Sequence, residues 1–179
     1  LADGTVEVFL NTNTNTAPEF GSGTRVQYGT PGAMTDLDVG TRATFDLVDW
    51  NSDGRFDLVL GALDGQVRLL VNGSTTGAPS FSSLSILQDA YGPITVVSGR
   101  SSPAVLDLDH DGLPDLVLGN TDGQLWFYRN VGTEQTPAFD GSTVPLQSDG
   151  VELYLGTTRS RPAVVDFDED GMWDALVVG

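Results

Sequence analysis

Apolar positions along this chain recur in two patterns, and neither has the period of a helix. In QVRLLV (66–71) and QLWFYR (124–129) they alternate, so that Val67, Leu69 and Val71, and equally Leu125 and Phe127, share one face. Val6, Val8 and Leu10 do the same near the start. The runs FDLVLG (56–61) and PDLVLG (114–119) are apolar without a break, the pattern of strands buried on both faces. An Asp-Gly pair between a continuous run and an alternating one predicts a tight hairpin. The stretches NTNTNTAPEF, NGSTTGAPSF and NVGTEQTPAF are polar, end in Pro-x-Phe and predict loops. No stretch reads as a helix of three turns. The chain is predicted to be all-β.

These elements repeat in phase. DWNSDGRFD begins at Asp49, DLDHDGLPD at Asp107 and DFDEDGMWD at Asp166, spacings of 58 and 59 residues. The second Asp-Gly of each unit precedes a proline by 15 residues: Asp3 to Pro18, Asp64 to Pro79, Asp122 to Pro137. An arginine precedes each acidic loop by 7 residues: Arg42, Arg100 and Arg159. Three repeats of about 58–60 residues therefore fit the chain in permuted order. The expected division is 1–41 (second half of a split repeat), 42–99, 100–158, and 159–179 (first half of the split repeat), with the last residue running in register into the first. Each repeat is predicted to be a four-stranded antiparallel sheet, the blade of a β-propeller. Three blades are too few for a closed ring, so the segment belongs to a longer chain or closes with copies of itself.

Crowded acids repel one another, which makes the loops the candidate chemistry. Counted from the first Asp, side-chain oxygens fall at positions 1, 3, 5 and 9, with Gly at 6. Alternate side chains on a tightly curled backbone converge, the position-7 carbonyl turns inward, and glycine permits the bend. This is the oxygen set a hard cation needs, and its size and flexibility favour Ca2+ over Mg2+. The expected ligands are Asp49, Asn51, Asp53 and Asp57; Asp107, Asp109, Asp111 and Asp115; and Asp166, Asp168, Asp170 and Asp174, with the carbonyls of Arg55, Leu113 and Met172. Asn51 removes one charge, so the first site is expected to be the weakest. Position 12 holds Leu60, Leu118 and Val177 where a helix–loop–helix calcium site places an acid, which disfavours that class.

Composition narrows the function. Net charge is −17, from 25 acids against 8 bases, and every base is arginine. With no basic stripe, nucleic acid is an unsuitable partner. There is no cysteine to form disulfides or thiolate–metal sites. No run reaches the roughly 18 apolar residues of a membrane span. The chain starts at Leu1 with no charged-then-apolar leader, and any secretory signal is expected outside this segment.

The loop D-x-[DN]-x-D-G-x-x-D, followed by an apolar strand, Gly, a second Asp-Gly, Asn-x-Gly-Thr and Pro-x-Phe, resembles the FG-GAP/VCBS repeat, found in the calcium-binding β-propellers of integrin α subunits and some fungal lectins. The resemblance implies four-stranded blades with calcium between the first two strands, on secreted or cell-surface proteins. Asn51 departs from the pattern, as do three repeats where the family has about seven. The expected function is that of a non-enzymatic, extracellular calcium-binding module with a structural or adhesive, self-assembling role. The alternatives are a lectin and the accessory propeller of a polysaccharide-degrading enzyme.

Other residues bear two readings. His110 is the single histidine and is expected to be a solvated loop residue. Arg42, Arg100 and Arg159 suit an acidic ligand such as a uronic acid, or bridges between blades through carboxylates or strand-end carbonyls. Trp50, Trp126, Trp173 and Tyr128 suit sugar stacking or packing between blades. Asn72-Gly-Ser is the sole glycosylation sequon, in a loop that suits a glycan.

Overall fold

The structure is a computed structural model and describes residues 4–75, 77–156 and 159–178. Leu1, Asp3 and Gly179, and with them the expected continuity between the chain ends, lie outside the described residues. The fold is all-β, and no helix occurs among the described residues. Strand β1 (Glu7–Val8) pairs antiparallel with β2 (Thr24–Arg25), and β3 (Gln27–Thr30) forms a hairpin with β4 (Ala33–Asp36). A four-stranded antiparallel sheet follows in chain order, from β5 (Thr44–Val48) through β6 (Asp57–Gly61) and β7 (Val67–Leu70) to β8 (Ser85–Ile86). A short hairpin comes next, β9 (Gln88–Asp89) with β10 (Gly92–Pro93).

The second repeat runs β11 (Ser102–Leu106), β12 (Asp115–Gly119), β13 (Leu125–Asn130) and β14 (Phe139–Pro145), again antiparallel. Here the sheet grows to six strands, because β14 pairs in parallel with β9 through Phe139 and Asp89. The chain ends with hairpins β15 (Gln147–Ser148) with β16 (Val151–Glu152), and β17 (Arg161–Val165) with β18 (Asp174–Val178).

Three apolar cores join these sheets. Strands β6 and β12 are buried along their whole length, and the pleat sends alternate side chains to opposite sides. Leu58, Leu60 and Leu70 pack with Val6, Val26, Leu37 and Val39, which flank the short N-terminal strands. Val59, Val67 and Leu69 face Leu116, Leu118 and Tyr128. Val117 and Leu125, on the far side of the second sheet, meet Val164 and Val177. The chain is thus a face-to-face stack, with β1–β2 on one flank and β17–β18 on the other. The prediction that β7 is one-sided needs correction: Leu70 is as buried as Val67, because sheets pack against both of its faces.

Stacked sheets approach closest at two glycines. A Cβ at Gly61 would lie 2.2 Å from the Ser101 carbonyl oxygen, and one at Gly119 would lie 2.1 Å from that of Ser160. The serine hydroxyls complete the seam. Ser160 Oγ donates to the Gln124 carbonyl at 2.6 Å and accepts from the Asn120 N–H at 2.8 Å. Ser101 repeats both bonds with Gln66 and Ala62. Replacing Gly119 with Ala therefore forces the two sheets apart. The expected cost is about 1–3 kcal/mol, seen as a fall of several degrees in thermal unfolding; an unchanged melt would show the close approach to be dispensable.

Candidate metal centre

Each acidic loop joins the first two strands of its repeat, and one hydrogen-bond scheme builds all three. The first aspartate curls the backbone: Asp49 accepts the N–H groups of Asp53 and Gly54 at 2.9 and 2.8 Å, one on each carboxylate oxygen. Asp107 takes those of Asp111 and Gly112 at 3.0 and 2.9 Å, and Asp166 those of Asp170 and Gly171 at 3.0 Å each. Such curling requires left-handed backbone at positions 4 and 6. Ser52, His110 and Glu169 stand at φ of 54°, 61° and 62°, and the glycines at position 6 between 83° and 90°.

The ninth residue fastens the loop to the sheet. Asp57 and Asp115 are fully buried. Asp57 accepts the Trp50 N–H at 3.0 Å and the Asn72 N–H at 2.7 Å; Asp115 accepts those of Leu108 at 3.0 Å and Asn130 at 2.8 Å. Burial pushes both carboxyls above the usual aspartate value, the two backbone N–H bonds oppose that shift, and neighbouring loop acids add to it. In the third loop Asp174 accepts the Phe167 N–H at 2.8 Å on Oδ2, while Oδ1 meets no donor among the described residues.

The loops bring one carboxylate oxygen from each of Asp107, Asp109 and Asp115 within 4.8 Å of one another, and likewise from Asp166, Asp168 and Asp174. In the first loop Asn51 takes the place of Asp109. Its Oδ1 is buried and has no hydrogen-bond partner, an orphaned acceptor in a loop that also carries Asp49, Asp53 and Asp57. The position-5 acids stand outside these trios. Asp53 is held by Arg55 at 2.6 Å and Asp111 by Arg129 at 3.0 Å, while Asp109 pairs with Arg129 at 2.7 Å. The N–H groups of Arg55, Leu113 and Met172 bond back to Asp53, Asp111 and Asp170.

Four residues carry roles beyond those expected from the sequence: Asn11, Asn72, Asn130 and Trp173. Asn72 is a staple. Its Oδ1 accepts the N–H groups of Ser74 and Ser80, and its Nδ2 donates to the Phe56 carbonyl at 3.3 Å. A buried side chain so engaged cannot carry a glycan, which corrects the reading of its sequon. Asn130 repeats the arrangement and Asn11 repeats its acceptor half, each paired with the phenylalanine of Pro-x-Phe. The spacing of Asn to Pro-x-Phe was visible in all three copies and is the signal for this staple. Trp173 joins two loops: its indole N–H donates to the Asp107 carbonyl at 2.7 Å and its ring stacks on His110 at 5.9 Å. Trp50 and Tyr128 are buried against Phe139 and offer no face to a sugar.

Sheets stacked face to face, with an acidic loop at one end of the inner strand, make an all-β arrangement consistent with a propeller-like fold. Residues 107–177 match the family model described as FG-GAP-like repeat, and this stretch, containing the second and third loops, is FG-GAP-like. No curated protein and no solved structure matches the chain. No helix among the described residues is long and apolar enough to cross a membrane.

Truncating the fastening carboxylate strands two backbone N–H groups. Asp115→Ala should destabilise the chain by about 2–6 kcal/mol, at 1–3 kcal/mol for each unsatisfied buried group. The loss should persist in chelator, where no metal contributes; a loss confined to calcium would mean that Asp115 acts through a metal alone.

Proposed function

We propose that the chain is a calcium-binding, non-enzymatic module that works outside the cell as a structural or adhesive element and assembles through its open flanks. The observation that carries the calcium reading is the orphaned Asn51 Oδ1, which stands at the loop position of Asp109 and Asp168. A buried oxygen without a donor, in a loop of carboxylates, suits a hard cation. Asp49, Asn51 and Asp57, Asp107, Asp109 and Asp115, and Asp166, Asp168 and Asp174 would hold the ions, with the position-5 acids and position-7 carbonyls completing the oxygen set. The ion supplies positive charge and nothing more. Three of them would reduce the formal charge from −17 to −11. Location outside the cell rests on the FG-GAP-like match, since such repeats typically occur in extracellular proteins.

Thermal unfolding tests this reading. Calcium at a hundred times its Kd contributes about 2.7 kcal/mol per site, so chelator should lower Tm by many degrees and calcium restore it. Asp109→Asn should alter the melt in chelator by no more than an exposed ion pair, about 1 kcal/mol, and should cut the calcium increment. A melt indifferent to calcium overturns the proposal.

Assembly is supported by what each flank lacks. Asp57 and Asp115 each receive an N–H from the asparagine that begins the polar loop; Asp174 does not, and the equivalent Asn11 lies on the opposite flank with no acceptor for its N–H among the described residues. Phe45 and Leu47 on β5 are 53% and 54% exposed, and Leu176 and Val178 on β18 are 40% and 68% exposed. Their equivalents inside the stack are covered by the next sheet. The partner is therefore a second copy of this chain, or a further repeat in a longer one, whose β1 continues the sheet at β18. Native mass spectrometry should find this chain as an oligomer, reduced to single chains by Leu47→Asp or Leu176→Asp with Tm preserved. A monomeric parent chain would exclude closure between copies.

A further inference from the structure

The eight arginines divide into two groups. Arg25, Arg55, Arg68 and Arg129 each pair with an aspartate. The other four, Arg42, Arg100, Arg159 and Arg161, line a single cavity where the inner strands β5, β11 and β17 begin. Among the described residues no carboxylate pairs with Arg42, Arg100 or Arg161, in a chain with about three acids for every base. Bridges to carboxylates of neighbouring sheets, one form of the expected bridging, are thus not formed by Arg42 and Arg100.

Topology keeps the acidic loops away, and the hairpin acids at this end are engaged elsewhere, Asp64 with Arg68 and Asp122 with Ser98. Each inner strand carries its arginine before its first residue and its acidic loop after its last. From Arg42 to Asp49 is seven residues of largely extended chain, about 20 Å at some 3.3 Å per residue. That exceeds the Debye length of roughly 8 Å at physiological salt, so the loops do not neutralise the cluster. The backbone holds the guanidiniums at a cost. Arg42 and Arg100 stand at φ of 64° and 57°, a left-handed conformation unusual for a side-chain-bearing residue. Burial first, and then the charges of Arg42, Arg159 and Arg161, make protonation of Arg100 harder than usual. Ser102, a buried hydroxyl-bearing residue, adds a polar group to the lining.

We infer that this cavity is an oxyanion site, taking a sulfate, phosphate or carboxylate group in the forks of guanidiniums contributed by successive repeats. Planar guanidiniums match such groups two bonds at a time. Uncompensated like charges cost stability that a bound anion restores. The site is independent of the acidic loops, at the opposite end of the same strands.

The test uses the whole chain in constant calcium, with ionic strength balanced by sodium chloride. Inorganic sulfate should raise Tm by several degrees over chloride, and titration should give a saturable site. Arg100→Gln and Arg42→Gln should each raise Tm in chloride, by relieving repulsion, and abolish the sulfate increment. Glucuronate and a sulfated disaccharide are compared with free sulfate: a lower Kd for a sugar identifies a glycan-borne oxyanion, and equal Kd values identify the free ion, both within the proposal. No sulfate increment in the parent chain, or an equal increment in both variants, overturns it. Because calcium is constant throughout, failure here is distinct from failure of the calcium reading, which shows only in chelator.

Discussion

The fold depends on a carboxyl group kept where charge is least welcome. Asp57 and Asp115 are fully buried, and each exchanges its hydration for two backbone N–H bonds, one from its own loop and one from the residue that ends the third strand. That exchange ties three segments together: the loop, the central strand that begins with the aspartate, and the polar loop beginning at Asn72 or Asn130. Because the asparagine side chain then binds two further N–H groups, the tie extends to Pro-x-Phe and so to the fourth strand. A chain without disulfides is thereby cross-linked by polar groups at one end of each sheet. The other loop acids complete that end at the expense of mutual repulsion, which arginine partly offsets at Asp53 in the first loop and at Asp109 and Asp111 in the second.

At the other end of the strands the constraint is steric. Glycine at the last position of β6 and β12 lets the next repeat's serine carbonyl come within van der Waals contact, and the serine hydroxyl then satisfies two backbone groups across the seam. The arginine preceding each serine is carried to the same place by the same geometry. The clustering of guanidiniums is thus a by-product of stacking repeats in register: any residue one step before the seam recurs beside itself in each neighbour.

What was legible in the sequence follows from this division. The strands around Asp-Gly pairs, the loop positions and the repeat phase were readable because they rest on local patterns: alternation, continuous apolar runs, and glycine where left-handed backbone is needed. The burial of Leu70 was not, because a strand's own pattern does not reveal a sheet on its second face. Nor was the growth of the second sheet to six strands, which depends on the β9–β10 hairpin reaching across to Phe139. The loop of Asn72 was taken to suit a glycan because a sequon is three residues long, whereas the structural role of Asn72 needs Phe56 and Ser80 as well. The arginines' surroundings were hidden for a related reason. Their phase was plain at 7 residues before each loop, but whether a carboxylate reached them depended on which ends of the strands come together.

The open flanks differ chemically from the internal seams. Val178 pairs with Arg161 as Gly61 pairs with Thr44 and Gly119 with Ser102, so it occupies the glycine position. Ala43 occupies the position of Ser101 and Ser160, one residue after the arginine. At an internal seam, opening would strand a serine hydroxyl and the backbone N–H it satisfies, a cost of about 1–3 kcal/mol for each unpaired group. At the flanks neither residue brings a polar side chain that needs the other, and opening exposes apolar surface alone. The internal seams therefore combine a close backbone approach with polar satisfaction, a combination that neither Val178 nor Ala43 offers.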